Sequence, residues 1–189
     1  MRELLIGCGH NRTKTLFVPG REEFVNVTTL DINPDHSPDV LHDLNELPYP
    51  FENDTFDEIH AYEVLEHFGR LGDWRGFFDQ FSELWRITKP GGRLFATVPI
   101  STNPWGDPGH RRVICQMTLT FLSQEQYALQ CRPGGTAMTD YRHWYKADWR
   151  LRHFAPIPCE DVDGNALPST NNSFVLQAIK PALADKVTA

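Results

Sequence analysis

Residues 4–14, LLIGCGHNRTK, decide how the rest of the chain is read. Apolar side chains run into Gly7-Cys8-Gly9, the pattern of a buried strand that ends in a tight turn. Glycine at such a turn accepts left-handed backbone angles and lets a ligand approach the main chain closely. A dinucleotide fingerprint carries a further glycine that packs the pyrophosphate onto a helix N-terminus. Asn11 and Arg12 stand in that place here.

Outward from this turn, FVNVTTLD reads as a second strand ending on Asp31, twenty-two residues beyond Gly9. A carboxylate there can accept hydrogen bonds from both hydroxyls of a ribose. That pair is common to NAD-dependent enzymes and adenosylmethionine-dependent methyltransferases. The missing glycine favours adenosylmethionine, which has no phosphate to seat. PDVLHDL reads as a short third strand, PYPFENDTF as a loop, and FDEIHAYEVL as a fourth strand running into a helix. DWRGFFDQFSELWRIT carries Phe77, Phe78, Phe81, Leu84, Trp85 and Ile87 at helical spacing. KPGG is expected to stop that helix, and RLFATVP to begin a fifth strand.

Strands alternating with helical segments predict an α/β fold, a Rossmann-like open and mostly parallel sheet whose ligands bind at the carboxyl ends of the strands. Gly7, Asp31, Asp43 and Tyr62 all arrive at that edge. A single domain over residues 1–189 is expected, with its core at 3–100 and 147–181. The segment 100–146, irregular and rich in Trp, Tyr, His and Arg, is expected to form a cap on the acceptor side. The core resumes at DWRLRHF and SFVLQAIKP, and the tail ALADKVTA is expected to fray.

Composition narrows the class. With 40% hydrophobic and 12% aromatic residues the chain is globular in type. No apolar run nears the roughly 18 residues of a membrane helix. The N-terminus reads straight into the glycine turn and not as a signal peptide, so a cytoplasmic protein is expected. Cys8, Cys115, Cys131 and Cys159 show no metal or disulfide spacing. The net charge of −7 argues against a nucleic-acid-coating surface, yet it hides two opposite segments. Residues 31–66 hold eleven Asp or Glu and no Lys or Arg, while 110–153 hold seven Lys or Arg against three Asp or Glu. The basic segment suits an anionic acceptor.

Taken as one line, LLIGCG…TTLDI…DVLHDLNELPYPFENDTFDEIHAYEVLEH…LWRITKPGGRLFATVP resembles the class I S-adenosylmethionine-dependent methyltransferases (type 11-like) over roughly residues 3–100. The resemblance implies that Gly7 and Gly9 face the methionine part, Asp31 the ribose and Ile32 the adenine, with Cys8 and His10 expected to touch cofactor by their place in the turn. It implies that Asp43 accepts from the adenine amino group, that the Leu44 amide meets the ring, and that Tyr62 and Glu63 line the methionine side. Leu5 and Asn11 depart from the family pattern, which carries an acidic and a small residue there. With no helix ahead of the first strand, the 100–146 segment is expected to cover the site.

Transfer of a methyl group already activated by its sulfonium relies on positioning and desolvation, so no dedicated base is obligatory. AYEV stands where amino-methyltransferases of DNA bases carry their Pro-Pro motif, and the Pro158-Cys159 pair is too far downstream for a cytosine C5 nucleophile. In EVLEH, Glu63, Glu66 and His67 fall at helical spacing on one face. Their donors suit a divalent metal ion. The string resembles the metal motifs of ubiquinone-biosynthesis and small-RNA 2′-O-methyltransferases, the latter adding a distant histidine for which His110 is the candidate. Metal-free members carry the same string, and His67 or His110 as general base is the competing reading. The acceptor side offers Trp105, Tyr141, Trp144 and Tyr145 for stacking and Arg111, Arg112 and Arg142 for phosphate or carboxylate. The expectation is methylation of O or N on a small-molecule or glycan-like acceptor. Alternatives are an RNA or DNA methyltransferase, a non-catalytic binding module on the same fold, and an NAD-dependent dehydrogenase.

Overall fold

Strand β1 (Glu3–Ile6) is buried at every position and has a parallel neighbour on each side. The computed structural model describes residues 1–100, 102, 104–135 and 138–181; the expected frayed tail lies outside them. β1 is flanked by β2 (Val27–Asp31) and β4 (Phe56–Tyr62), with β3 (Val40–Leu41) beyond β2 and β5 (Thr88–Pro99) beyond β4, all parallel. Two antiparallel pairings complete the sheet, through β9 (Asn171–Ala178) and β6 (Trp149–Pro156). The order is β3-β2-β1-β4-β5-β9-β6 in seven strands, with β7 (Cys159–Glu160) and β8 (Ala166–Leu167) as a separate hairpin. Strand order reverses between β1 and β4, so the crevice at their carboxyl ends is the place such sheets bind ligands.

The long helix α1 (Trp74–Ile87) follows from its stripe: Phe78, Phe81, Leu84 and Ile87 are buried, and Phe77 and Trp85 pack at the rim. Full burial of each such side chain contributes about 1.5–3 kcal/mol. Asp73 caps its N-terminus by accepting from the Gly76 amide at 2.9 Å. Two short helices, α2 (Gln116–Thr120) and α3 (Gln124–Gln130), lie in the segment before β6. That segment packs on α1 through aromatic rings, Tyr141 against Trp74 and Tyr145 against Phe78, at 5.0 and 4.8 Å between centroids.

Three expectations change. The strand-helix alternation is thinner than predicted, because residues 7–26 between β1 and β2 form no helix. A buried polar scaffold holds that segment on the sheet instead. Lys14, only 5% exposed, places Nζ 2.6 Å from Glu3 Oε1 and 2.9 Å from Glu58 Oε2, while the Thr15 and Leu16 amides each donate to the Tyr62 hydroxyl at 3.2 Å. Second, KPGG does not separate helix from strand. β5 begins at Thr88, and the register jumps from Phe56↔Thr88 to Glu58↔Arg93, so KPGG is a bulge within the strand. Third, EVLEH is not an α-helix: only Leu65–His67 curls, as a 3₁₀ turn, and Glu63 sits at φ 53°.

Candidate active site

Gly7 and Gly9 stand just past β1 at φ 58° and 52°, angles that favour glycine. A Cβ on Gly7 would lie 2.4 Å from Val64 Cγ2, so the turn after β4 rests directly on this glycine. A Cβ on Gly9 would meet open space, which leaves its backbone approachable. Cys8 lies between them, buried, with its amide donating to the Leu30 carbonyl at 3.2 Å. Burial pushes its thiol pKa up, against a nucleophilic role. His10 is exposed and sets its ring edge against His36, 4.6 Å between centroids.

Asp31, 5% exposed at the end of β2, accepts from the Gly9 amide through Oδ2 and from the Asn33 amide through Oδ1, each at 2.9 Å. Burial raises its pKa, but these amides and His36 more than offset that and hold the carboxyl below its ordinary value. His36 Nδ1 stands 3.1 Å from Asp31 Oδ2, close enough for an ion pair but off-line for a hydrogen bond. Arg12 ties the glycine turn to the turn after β2 by donating to the His36 and Ser37 carbonyls at 2.8 and 2.7 Å.

Ile32, 62% exposed, shares a cavity of about 600 Å³ with Asp43 and Leu44. Asp43 Oδ1 accepts from the Asn45 amide at 2.9 Å. Sequence reasoning missed five further residues of this cavity, Phe68, Gly69, Arg70, Asp73 and Gln80, and Arg111, expected on the acceptor side, lines it too. The glycine-punctuated HFGRLGDW ahead of α1 was the available signal, since a loop at a helix entrance on the ligand edge of the sheet is where such walls come from. Tyr62 points its side chain away, toward Thr15 and Leu16, so only its backbone is available to the ligand edge. Glu63 is exposed, and its amide donates to Thr97 O at 3.0 Å.

The structure brings Glu66, His67 and His110 together: one potential ligand atom from each lies within 4.8 Å of the others. Glu63 is not in that group. Glu66 is 1% exposed, and neither carboxyl oxygen has a hydrogen-bond partner among the described residues. Burial pushes its pKa up to about 8, backbone hydrogen bonding opposes this, and the charges of Glu63 and Asp107 add to the rise. His110 Nε2 faces Glu66 Oε1 at 3.7 Å, and its Nδ1 lies 2.5 Å from the Pro104 carbonyl. That carbonyl accepts only from Nδ1–H, so in the neutral ring Nε2 is the accepting nitrogen. Among the other candidates, Tyr145 is buried and donates to Leu122 O, Trp144 donates to Asp79, Trp105 is exposed, and Arg142 pairs with Asp140.

A mostly parallel sheet with a glycine turn after β1 and a carboxylate after β2 defines a nucleoside-cofactor enzyme of the Rossmann-like type. A family model described as a methyltransferase domain matches residues 2–155, and the chain belongs to that family. It is an S-adenosylmethionine-dependent methyltransferase of the class I fold. Solved structures agree in fold. A SAM-dependent methyltransferase from Archaeoglobus fulgidus superposes with TM-score 0.58 at 16% identity, over 93% of this chain and 85% of that one. One from Methanosarcina mazei gives 0.51 at 15% identity, over 94% and 92%. The N-methyltransferase NodS of Bradyrhizobium japonicum, in complex with S-adenosyl-L-homocysteine, gives 0.55 at 14% identity, over 95% and 78%. A sequence comparison with curated proteins finds no match. Among the described residues, no helix is long and apolar enough to cross a membrane.

The residues fit the cofactor. Gly9 offers an open backbone, Asp31 a carboxylate beside it, and Ile32, Asp43 and Leu44 a cavity within the roughly 300–1,000 Å³ of small-molecule sites.

Proposed function

We propose that this methyltransferase modifies an oxygen or nitrogen of a small-molecule or glycan-like acceptor, anionic in character, at the cluster of Glu66, His67 and His110. The observation that carries the reading is the buried Glu66 carboxyl facing His110 Nε2 at 3.7 Å. Bound adenosylmethionine supplies a methyl group already activated on a sulfonium. The chain's own residues do the rest: Gly7, Cys8, Gly9, His10 and Glu63 border the methionine part, Asp31 and Asp43 hold the adenosine, and His110 Nε2 takes the acceptor's proton. Glu66, uncharged when buried and unpaired, lies beside that nitrogen, and His110 passes the single proton it has taken on to solvent.

Support for a small anionic acceptor comes from the excess of Arg and Lys over 110–153, set against a whole-chain charge of −7 that disfavours nucleic acid. The orphaned Glu66 oxygens favour a second reading, in which Glu66, His67 and His110 hold a divalent cation that supplies Lewis acidity to an acceptor oxygen. The test is transfer of labelled methyl to panels of small acids, saccharides and RNA oligomers. His110→Ala is expected to lose at least about 100-fold in turnover while keeping adenosylhomocysteine affinity; turnover equal to wild type rejects the cluster. Activity that survives exhaustive chelation keeps the base reading, and activity lost to a chelator and restored by a divalent ion selects the cation.

A further inference from the structure

A second cavity, of about 260 Å³, opens between α1 and the segment that follows β5. Its walls are rings: Trp74, Phe77, Phe78, Phe121 and Tyr141. Arg112 also lines it and is 9% exposed. The guanidinium lies 5.4 Å from the centre of the Phe77 ring and donates through Nε to the Phe68 carbonyl at 3.0 Å. Nη2 is buried against Gly69 without a hydrogen-bond partner, and among the described residues the carboxylate that acts on this guanidinium, Asp73, does so through space and not as an ion pair. An arginine removed from water and left short of acceptors is costly unless something completes it. The planar fork of its nitrogens matches a carboxylate.

We infer that this cavity binds a small aromatic carboxylic acid, its ring against Phe77, Phe78, Phe121 and Tyr141 and its carboxylate on Arg112. The charge count agrees. Arg70 and Arg112 bring two positive charges to the lining and Asp73 one negative, which leaves room for one anionic charge. The volume suits one ring or a fused pair and excludes an oligosaccharide or a nucleic acid strand. The cavity is tied to the reacting cluster, because the amides of Arg111 and Arg112 donate to the Glu66 carbonyl at 2.8 and 3.2 Å and His110 precedes them in the chain.

The experiment is calorimetric titration of the full chain, saturated with adenosylhomocysteine, with 1-naphthoate, its neutral amide, and cyclohexanecarboxylate. The acid is expected to bind at least about tenfold more tightly than the amide and than the non-aromatic acid. In Arg112→Gln the acid and amide are expected to bind within about twofold of each other, with adenosylhomocysteine affinity unchanged. Equal binding of acid and amide to the wild type, or a preference that survives Arg112→Gln, overturns the site; a non-aromatic acid that binds as well overturns its aromatic half. If Arg112→Gln fails to fold, the wild-type comparison decides alone. Binding that shows this preference supports the site whether or not the acid accepts a methyl group.

Discussion

The Gly9 amide donates to Asp31 Oδ2 at 2.9 Å, so the turn after β1 is oriented by the carboxylate that ends β2. One group thus shapes the turn and, in the proposed site, accepts from the ribose. Asp31→Ala is expected to weaken adenosylhomocysteine binding by about 1.5–3 kcal/mol, about 10- to 160-fold, the scale of a hydrogen bond to a charged group. Calorimetry on the folded variant checks this, and unchanged affinity removes Asp31 from the site.

His36 crowds the same carboxylate. Its Nδ1 is 3.1 Å from Asp31 Oδ2, where it helps hold that carboxyl below its ordinary value but takes up an approach to the oxygen that a ribose hydroxyl would use. His36→Ala is expected to tighten cofactor binding by about two- to tenfold, since an acceptor position becomes free. Weaker binding would show that His36 holds the ligand or the turn.

Gly7 meets Val64 too closely for any side chain. With φ at 58° and a would-be Cβ 2.4 Å from Val64 Cγ2, Gly7→Ala is expected to destabilise the fold by about 1–3 kcal/mol. Val64→Ala in the same chain should recover the steric part and leave the backbone strain. A double-mutant cycle by urea unfolding measures the coupling; strict additivity would contradict the contact.

Acid should loosen the scaffold under residues 7–26. Burial raises the Glu58 pKa, but the approach of His60 Nε2 at 3.4 Å and the hydrogen bond and charge of Lys14 reverse that and hold it at about 2, below its ordinary 4.5. A carboxyl depressed in the folded state stabilises above about pH 4.5, and that stabilisation fades as pH falls from about 4.5 toward 2. The urea midpoint should therefore drop across that window in the wild type. Lys14→Met, which strands Glu3 and Glu58, is expected to cost about 3–5 kcal/mol at neutral pH; a cost below about 1 kcal/mol would mean that the ion group is not what holds the segment.

Much of this architecture is legible from local pattern. The run into Gly7, the β-branched approach to Asp31 and the stripe from Phe77 to Ile87 each express a period or a turn that a window of a dozen residues contains. What was not legible depends on distance in the chain. Lys14 reads as a solvated charge until Glu3 and Glu58, on adjacent strands, close around it. KPGG carries every mark of a loop, yet pairing with β4 on both sides turns it into a bulge. The helix expected over EVLEH gave way to a 3₁₀ turn because Val64 must descend onto Gly7 and Glu63 takes a left-handed angle to let it. The approach of His110 to Glu66 is a tertiary fact of the same sort, and so is the burial of Arg112 among rings drawn from three separate stretches.

The account depends first on what the turn at Gly7 and Gly9 holds. Calorimetric titration with adenosylmethionine, adenosylhomocysteine and NAD, each against the same preparation, tests it most directly. Stoichiometric binding of the two sulfur nucleosides, with affinity in the micromolar range, and no heat from NAD are expected. NAD binding, or silence from both sulfur nucleosides with a folded protein in the cell, would contradict it.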